Sequence, residues 1–411
     1  MSYDSENFPD LPQGWRKIAV GDAAAPVTVR DKIPTKAYVK AGALAVVDQG
    51  QALIGGYTND QSIAVATSLP VVVFGDHTRA LKFIDFPFAA GADGIKILRP
   101  SPAFLPRLFF HFLRAIRLPD RGYARHYQFL RDSQIPLPPL PEQTRIADKL
   151  DTLLARVDTC RNHLARVPAI LKRFRQSVLT AATSGDLTSD WRNEHLRDAS
   201  DWKVATAGDL IDRIEAGLNV QCIERPPTSS ERGLVKISAV TWGRYNDDES
   251  KTLPTQMVVP DSARIKLGDF LISRANTLEL VGACVIVDRV IRPVYLSDKV
   301  LRLVMQEPLK PWMLIVLRSA QGREQIESLA SGNQLSMRNL SQANLRLINV
   351  PMPPADEQAE IVRRVDSLFA LADQLEARYT TARTHIDRLT PALLAKAFRG
   401  ELVPQDPGDS L

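Results

Sequence analysis

The chain has 411 residues, of which 45% are hydrophobic and 24% charged, and its formal net charge is +5 at pH 7. This length predicts two or more domains, and this composition is typical of a soluble globular protein with hydrophobic cores. The basic balance favours a polyanionic partner without proving one.

The cysteines and the apolar stretches exclude further classes of protein. The chain has three cysteines, an odd number, and they are widely spaced, at Cys160, Cys222 and Cys284. This pattern fits neither a disulfide framework nor a zinc site. The most apolar stretch, 104–118, is interrupted by basic residues, so no segment is expected to span a membrane. The acidic, polar start predicts no signal peptide, and we expect a reducing, cytoplasmic location.

The first globular region is predicted to extend over residues 1–137. Short runs rich in Val and Ile, separated by turn signals, predict strands at 43–47, 51–54, 69–74, 80–83 and 94–98. A helix is predicted from about 103 to 117, and a stiff, proline-rich segment at 134–139 follows it.

An internal repeat begins at Pro138. The proline, Glu-Gln and apolar positions of 138–187 recur without a gap 215 residues later (357 minus 142), at 353–402. Apolar residues in both copies are alternately four and three residues apart, which is the period of a coiled coil. Each copy would form a helix of roughly 60 Å, ended by Gly185 or Gly400. Pro168 predicts a bend in the first helix, and Pro391 interrupts the second.

The two repeat helices, 138–187 and 353–411 with the C-terminal tail, are predicted to pair as an antiparallel coiled coil. The residues assigned to this pairing or to partner contacts share the repeated motif or the apolar seam. They are Glu142, Gln143, Ile146, Leu150, Leu153, Val157, Leu164, Leu171, Glu357, Gln358, Ile361, Val365, Leu368, Leu375, Ile386 and Leu389.

A second globular region is predicted at 188–352, after a polar linker at 188–200. Trp202 corresponds to Trp15 at the start of the first region, and 268–272 is predicted to correspond to 50–54. Strands are predicted at 233–239, 269–273, 282–287 and 299–304, and a helix from about 311 to 330. The predicted fold class is therefore α+β, with two globular regions, two long helices and pseudo-two-fold symmetry.

Each globular region contains a cluster of basic, aromatic and amide side chains on predicted loops. Arg and Asn can read guanine and adenine edges, and Lys and Arg can bind phosphates. The same aromatic residues could instead be core residues, and the same arginines could be solvated. The candidate DNA-binding residues are His77, Arg79, Lys82, Arg121, Tyr123, Arg125 and His126, and Trp242, Arg244, Tyr245, Arg274, Asn276 and Lys299.

Motifs for catalysis are missing from the sequence. It contains no phosphate-binding loop, no dinucleotide fingerprint, no Asn-Pro-Pro-aromatic motif and no metal-ligand spacing among its six histidines. Gly75-Asp76-His77 could be an acid–base pair, but a polar turn after a strand is the favoured interpretation. The chain is thus expected to be a binding or scaffolding component with no catalytic residues and no metal site.

These features resemble the specificity subunits of type I restriction–modification systems over nearly the whole chain. The resemblance is carried by the two Pro-Glu-Gln helix starts, by 73–78 and 91–94, and by 268–276 and 296–300. It implies two target-recognition domains, 1–137 and 188–352, that each bind one half of a split double-stranded DNA target. It also implies that the paired helices set the distance between the halves.

The resemblance further implies partner subunits. Two methyltransferase subunits and the restriction and translocase subunits would dock on the chain, and the whole complex would be a site-specific deoxyribonuclease and adenine-N6 DNA methyltransferase. S-adenosylmethionine, ATP and Mg would then be bound by the partners, and no cofactor is expected in this chain. Two alternatives remain: a coiled-coil scaffold whose globular regions bind proteins, and a free-standing nuclease, which the missing motifs disfavour.

Overall fold

The structure is a computed structural model that describes residues 10–91, 94–120, 122, 124–196, 198, 202–334, 337–406 and 408. The chain divides into two compact units. Unit 1 consists of Met1–Ala165 and Tyr379–Leu411, and unit 2 of Arg166–Arg378.

Unit 1 contains ten strands and four complete α-helices among its described residues. They are β1 (Arg16–Ala19), α1 (Val20–Ala23), β2 (Ala24–Val27), β3 (Lys32–Ile33), β4 (Leu44–Val47), β5 (Gly56–Thr58), β6 (Val71–Gly75), β7 (Leu81–Ile84), β8 (Phe88–Gly91), β9 (Ile95–Pro100), α2 (Pro106–Ala115), α3 (Tyr127–Asp132), β10 (Gln134–Leu137) and α4 (Leu140–Leu164).

Two four-stranded sheets form the globular part of unit 1. One is antiparallel in the order β2-β9-β6-β7, and the other has the order β3-β8-β4-β5, with β8 parallel to both β3 and β4. A separate antiparallel pair joins β1 to β10. The run Val71–Phe74 is buried along its whole length, as expected of a strand inside a sheet with both faces covered.

Unit 2 contains the remaining elements. They are α5 (Val167–Ser184), α6 (Ser189–Glu194), β11 (Lys203–Thr206), α7 (Ala207–Leu210), β12 (Arg213–Glu215), β13 (Gly233–Val235), α8 (Ser238–Thr241), β14 (Ser250–Thr252), β15 (Phe270–Ser273), β16 (Ala275–Asn276), β17 (Cys284–Ile286), β18 (Val294–Tyr295), β19 (Val300–Val304), α9 (Leu309–Arg318), α10 (Ala320–Leu329), β20 (Ser331–Gln334), β21 (Met337–Asn339), α11 (Gln342–Arg346) and β22 (Asn349–Met352). The last helix, α12 (Ala355–Phe398), supplies residues to both units.

The sheets of unit 2 follow the topology of unit 1. The antiparallel order β12-β19-β15-β17 matches β2-β9-β6-β7, and the pair β11–β22 matches β1–β10. In the sheet β14-β13-β18, the strand β13 is antiparallel to β14 and parallel to β18, as β4 is to β5 and β8. The α+β class is confirmed, and the repeat extends from the helices to the sheets.

The first repeat segment forms two helices, not one. The helix α4 ends at Leu164, and α5 begins at Val167 with Pro168 in its first turn, where the missing N–H of proline costs no helical hydrogen bond. The second repeat segment is continuous, since α12 runs through Pro391. Gly185 and Gly400 adopt left-handed φ angles of +85° and +73°, as predicted for glycines at helix ends.

Within each unit, the repeat segments contact each other in opposite chain directions. In unit 1, Arg161 Nε lies 3.7 Å from Asp387 Oδ1, while Gln405 contacts the earlier Glu142. In unit 2, Arg175 pairs with Asp373 at 2.8 Å, while the later residue Asp190 pairs with Arg364 at 2.6 Å. This order is antiparallel, and a regular coiled coil along the helices stays a prediction.

Burial of the assigned seam residues is uneven. Leu375 and Leu389 are 42% and 44% exposed. The half-buried residues are Leu153, Leu164, Gln358, Leu368 and Ile386. The buried residues are Glu142, Gln143, Ile146, Leu150, Val157, Leu171, Glu357, Ile361 and Val365. Most residues of the repeated Glu-Gln motif and of the first turns of α4 and α12 therefore belong to the cores. The middle of α12, in contrast, presents apolar side chains to solvent.

Four sequence-based predictions about local structure were wrong. The strand predicted at 233–239 ends at Val235, and residues 238–239 belong to α8. Residues 51–54 are not a strand, because Gly50 N donates to Asp48 Oδ1 and Gly55 N to Val46 O, which makes 48–55 the connection between β4 and β5. The strand that corresponds to β15 is β6, not 50–54. The predicted helix at 311–330 is two helices, because extended Ser319 ends α9 and caps α10 through Gly322 N.

A buried glutamate explains the repeated Glu-Gln motif. Glu142 in unit 1 is 2% exposed and accepts the indole N–H of Trp15 at 2.8 Å and the amide of Gln405 at 2.7 Å. The next residue, Gln143, donates to the carbonyl of Pro138 at 2.9 Å. The start of the globular region, the start of α4 and the segment after α12 thus meet at one carboxylate.

Unit 2 repeats this arrangement with a charged partner. Glu357 is 1% exposed and accepts from Trp202 Nε1 at 3.0 Å, Thr188 Oγ1 at 2.7 Å and Arg192 Nη1 at 2.6 Å. Thr188 and Arg192 belong to the segment after α5. We call these two sites the glutamate–tryptophan junctions.

In unit 1, ionic contacts also join α2 to α4. Arg107 donates to Asp151 at 2.6 Å and to Asp148 at 2.8 Å, and His111 Nε2 lies 2.8 Å from Asp151 Oδ1. His111 is buried, and its Nδ1 has no hydrogen-bond partner among the described residues. Burial lowers the pKa of His111 below its ordinary value of 6.5, against the opposing attraction of Asp151.

No helix in the described part of the chain is both long and apolar enough to cross a membrane.

Replacing Glu357 by Gln should destabilise unit 2 by about 3–5 kcal/mol, because the change leaves buried Arg192 without its counter-charge. The matched change Glu142→Gln should cost unit 1 only about 1 kcal/mol, since the partners of Glu142 are neutral. Urea unfolding followed by hydrogen–deuterium exchange reports the two units separately. Equal losses in both variants would contradict the assigned role of Arg192.

Unit 1 should lose stability as the pH falls below about 6.5. In the unfolded chain His111 then binds a proton, whereas in the folded chain its lowered pKa keeps it neutral, so protonation favours the unfolded state. The loss should continue down to the folded pKa. The variant His111→Gln, which keeps a donor for Asp151, should show a shallower decline between pH 7.5 and 5.5 in urea unfolding midpoints. The same decline in both proteins would show that His111 does not set this dependence.

Candidate nucleic-acid interface

Three loops of unit 1 meet at the residue that follows β6. Asp76 N donates to Gly94 O, just before β9, at 2.6 Å, and Asp76 O accepts from His126 N, just before α3, at 2.9 Å. We call this arrangement of Asp76, Gly94 and His126 the loop junction of unit 1. It brings together loops that carry several candidate DNA-binding residues.

The side chain of Asp76 holds this junction together. Its Oδ1 accepts from the backbone N–H groups of His126 and Tyr127, both at 2.8 Å, and the residue is buried. It therefore binds the start of α3, where unpaired N–H groups attract a carboxylate. The favoured interpretation of Gly75-Asp76-His77 as a turn agrees with this geometry.

Three candidate residues of unit 1 lie close to the loop junction in the chain. Arg79 has a left-handed φ of +60° and lies 3.6 Å from Asp120, while Arg125 is exposed and His77 is half-buried. Thr78 Oγ1 donates to Gln49 O at 2.5 Å, which draws the 48–55 connection to the same loops. Arg121 and Tyr123 lie outside the described residues.

Two candidate residues of unit 1 are buried and position loops. Lys82 Nζ donates to Asp48 O at 2.7 Å, and burial lowers its pKa below the ordinary value of 10.5. His126 is fully buried, and its Nδ1 lies 3.1 Å from Asp76 O. In this conformation neither side chain is available to a ligand on the surface.

Unit 2 has the same loop junction at the residue that follows β15. Arg274 N donates to Lys299 O, just before β19, at 3.0 Å, and Arg274 O accepts from Leu340 N, ahead of α11, at 2.8 Å. Arg274, Lys299 and Leu340 thus occupy the positions of Asp76, Gly94 and His126. The backbone hydrogen bonds are the same in both units, while the side chains differ in charge and size.

Basic and amide side chains converge at the loop junction of unit 2. Lys299 is exposed, while Arg274 and Asn276 are half-buried. The strand pairing of β16 with β21 places Asn276 opposite Arg338, which sequence reasoning missed. The Nε atom of Arg338 is buried without a hydrogen-bond partner among the described residues. Its signal in the sequence, a lone arginine between Met337 and Asn339, is too weak to have identified it.

The other candidate residues of unit 2, Trp242, Arg244 and Tyr245, make contacts that are separate from this loop junction. Trp242 is 76% exposed, and Arg244 pairs with Asp373 of α12. Arg318 Nη2 donates to Gly243 O at 2.8 Å, so this turn is fixed between α9 and α12. Tyr245 is buried, and its hydroxyl has no partner among the described residues, which makes it a core residue.

No group of three or more His, Cys, Asp or Glu side chains among the described residues is placed to hold a metal ion. The candidate interface of each unit carries hydrogen-bond donors and cations on loops held by backbone hydrogen bonds. Such a surface can bind phosphates and base edges.

Comparisons of sequence define the class of protein. No protein-family model matches the chain. The chain is 35% identical over 276 residues to the type I restriction enzyme EcoKI specificity subunit of Escherichia coli (strain K12), which is 66% of this chain and 58% of that protein. It is 33% identical over 294 residues to the StySPI specificity subunit of Salmonella potsdam, again 66% of this chain and 58% of that protein. The chain thus spans somewhat under three fifths of the length of these relatives.

Comparisons of structure show the same fold. The HsdS subunit from Thermoanaerobacter tengcongensis aligns over 96% of this chain and 98% of its own length, with a TM-score of 0.55 and 19% identity. A chain from a study of complex assembly and conformational transition in the type I restriction–modification system aligns over 96% of this chain and 100% of its own, with a TM-score of 0.67 and 19% identity.

The fold and the sequence matches together place the chain among two-unit α+β proteins with repeated helices. Its sequence is similar to those of type I restriction-enzyme specificity subunits, in agreement with the resemblance predicted from its motifs.

Proposed function

We propose that the chain is the DNA-recognition subunit of a type I restriction–modification complex. Each loop junction and the side chains around it would bind one half of a bipartite double-stranded target. The chain itself would have no catalytic residues, and it would act in the cytoplasm, where its DNA lies.

The observation that carries this proposal is the pair of loop junctions. Both units use the same backbone hydrogen bonds to bring three loops together, but Asp76 is replaced by Arg274, Gly94 by Lys299 and His126 by Leu340. Two domains that recognise different half-sites need the same loop positions but different side chains. The shared backbone places the loops, and the side chains that contact the bases determine which sequence is bound.

The side chains support different contacts in the two units. In unit 2, Arg274, Asn276, Lys299 and Arg338 would supply the contacts, and an arginine or asparagine can make paired hydrogen bonds to guanine or adenine. In unit 1, Arg79 and Arg125 are the exposed cations among the described candidate residues, and Arg121 and Tyr123 remain candidates from the sequence. Buried Lys82, His126 and Tyr245 would support the loops or the core.

The repeat helices would fix the unread spacer between the half-sites, and the boundaries 1–137, 138–187, 188–352 and 353–411 stay the proposed recognition and spacer segments. Two methyltransferase subunits and the restriction and translocase subunits would dock on the chain. S-adenosylmethionine, ATP and Mg would be bound by those subunits. The alternative of a scaffold that binds only proteins gains no support from the matched relatives, which are described as restriction-enzyme subunits.

The double variant Arg274→Ala and Asn276→Ala should reduce discrimination at one half-site only, by about 1–3 kcal/mol for each lost base contact. The matched variant Arg125→Ala in unit 1 should affect the other half-site. Binding of the chain with its methyltransferase to targets altered in either half measures both effects. Equal loss at both half-sites in either variant would contradict the assignment of one half-site to each unit.

A salt series on the unaltered complex separates DNA recognition from protein scaffolding. Phosphate contacts require the DNA affinity to fall steeply as salt rises, by roughly 0.9 in log K per log salt unit for each neutralised phosphate. A DNA affinity that is negligible at low salt would favour the scaffold.

A further inference from the structure

Unit 2 has an open cleft beside α12, at a position where side chains of α2 and α4 pair with each other in unit 1. The cleft measures about 1010 Å³, and its walls include Trp242, Leu314, Ile315, Asp366 and Phe369. All of its lining residues belong to unit 2. The repeat allows a residue-by-residue comparison with unit 1.

Asp366 in the cleft is the repeat equivalent of Asp151, 215 residues earlier (366 minus 151). In unit 1, Asp151 accepts hydrogen bonds from Arg107 and His111 of α2. Asp366, in contrast, makes no hydrogen bond or ion pair with any described residue. Asp366 is exposed in the cleft, and partial desolvation by its neighbours raises its pKa above the ordinary value of 3.8.

The difference arises from the sequence of α9, which follows β19 as α2 follows β9. When the two helices are aligned on their shared Leu-Arg pair, at 113–114 and 317–318, Pro311 takes the place of Arg107 and Ile315 that of His111. Both replacements are apolar and line the cleft. The carboxylate is retained in unit 2, while its two nitrogen donors are missing.

The remaining charges of the cleft are already satisfied. Asp373 pairs with Arg175 and Arg244, Glu376 pairs with Arg175 at 2.7 Å, and Arg318 donates to the carbonyls of Gly243 and Cys284. DNA is a poor occupant, because phosphates would meet the carboxylate of Asp366. A lysine or arginine with apolar neighbours complements both Asp366 and the apolar walls.

We propose that this cleft binds a segment of a methyltransferase subunit that inserts one lysine or arginine beside Asp366, with apolar side chains against Leu314, Ile315 and Phe369. This inference rests on the proposed function, and it identifies a contact that unit 2 offers and unit 1 does not. One of the two methyltransferase copies is therefore held by an ion pair that the other lacks.

Two variants test the contact in the full chain mixed with its methyltransferase. Asp366→Asn should weaken one of the two binding steps by about tenfold, since it removes one partner of a charge pair that the bound segment would cover. Pro311→Arg should weaken the same step, because it places in unit 2 the arginine that occupies Asp151 in unit 1. Titration calorimetry or analytical ultracentrifugation resolves the two steps.

Matched controls separate docking from folding. Asp366→Glu keeps the charge and should bind nearly as the unaltered chain does. Asp151→Asn removes a carboxylate that is already paired within unit 1 and should leave both binding steps unchanged. Urea unfolding midpoints of Asp366→Asn and Pro311→Arg should match those of the unaltered chain.

The outcomes distinguish this inference from the proposed function. If the unaltered chain binds two methyltransferase subunits and both Asp366→Asn and Pro311→Arg bind them equally well, the inference is wrong and the proposed function stands. If the unaltered chain binds no methyltransferase, the proposed function is wrong and the inference fails with it.

Discussion

A buried carboxylate at the start of each long repeat helix is the constraint on which both units depend. Glu142 and Glu357 each accept the indole N–H of a tryptophan from the start of a globular region. Each also accepts from the segment that follows the other repeat segment, through Gln405 in unit 1 and through Thr188 and Arg192 in unit 2. A buried carboxylate is costly unless it is hydrogen-bonded, so the sheet, the helix start and the following segment must be in place together.

The two junctions differ in their chemistry. The junction in unit 1 uses neutral donors, whereas the junction in unit 2 uses a buried arginine. The loop junctions show the same division between a kept frame and altered side chains, since Asp76 binds the start of α3 and Arg274 does not bind α11 in this way. Duplication with local replacement thus gives one fold two different surfaces.

Much of this fold is predictable because periodic apolar patterns and exact repeats are local signals. The strands β6, β9, β15 and β19, the helix α2 and the glycine helix ends all follow from such patterns. Residues 51–54 have a strand-like composition, but Asp48 and two neighbouring glycines make a connection there. Pro168 was expected to bend the first repeat helix; there α4 ends at Leu164, and α5 begins at Val167 with the proline in its first turn, where proline is tolerated.

The candidate interface was less predictable, because it depends on contacts between distant segments. Arg338 joins Asn276 only through the pairing of β16 with β21, and no local pattern announces that pairing. Lys82 and His126 have the composition of a binding surface, yet long-range contacts with Asp48 and Asp76 bury them. The repeated Glu-Gln motif was visible in the sequence, but its tryptophan partners lie 127 and 155 residues away.

The central claim is that one chain carries two readers whose separation is set by the repeat helices. Its most direct test inserts four residues, one helical turn of about 6 Å, after Ala165 and after Ala382, and sequences the sites methylated with the partner subunits. The account predicts an unchanged pair of half-sites separated by a longer unread spacer. An unchanged spacer, or altered half-site sequences, would contradict it.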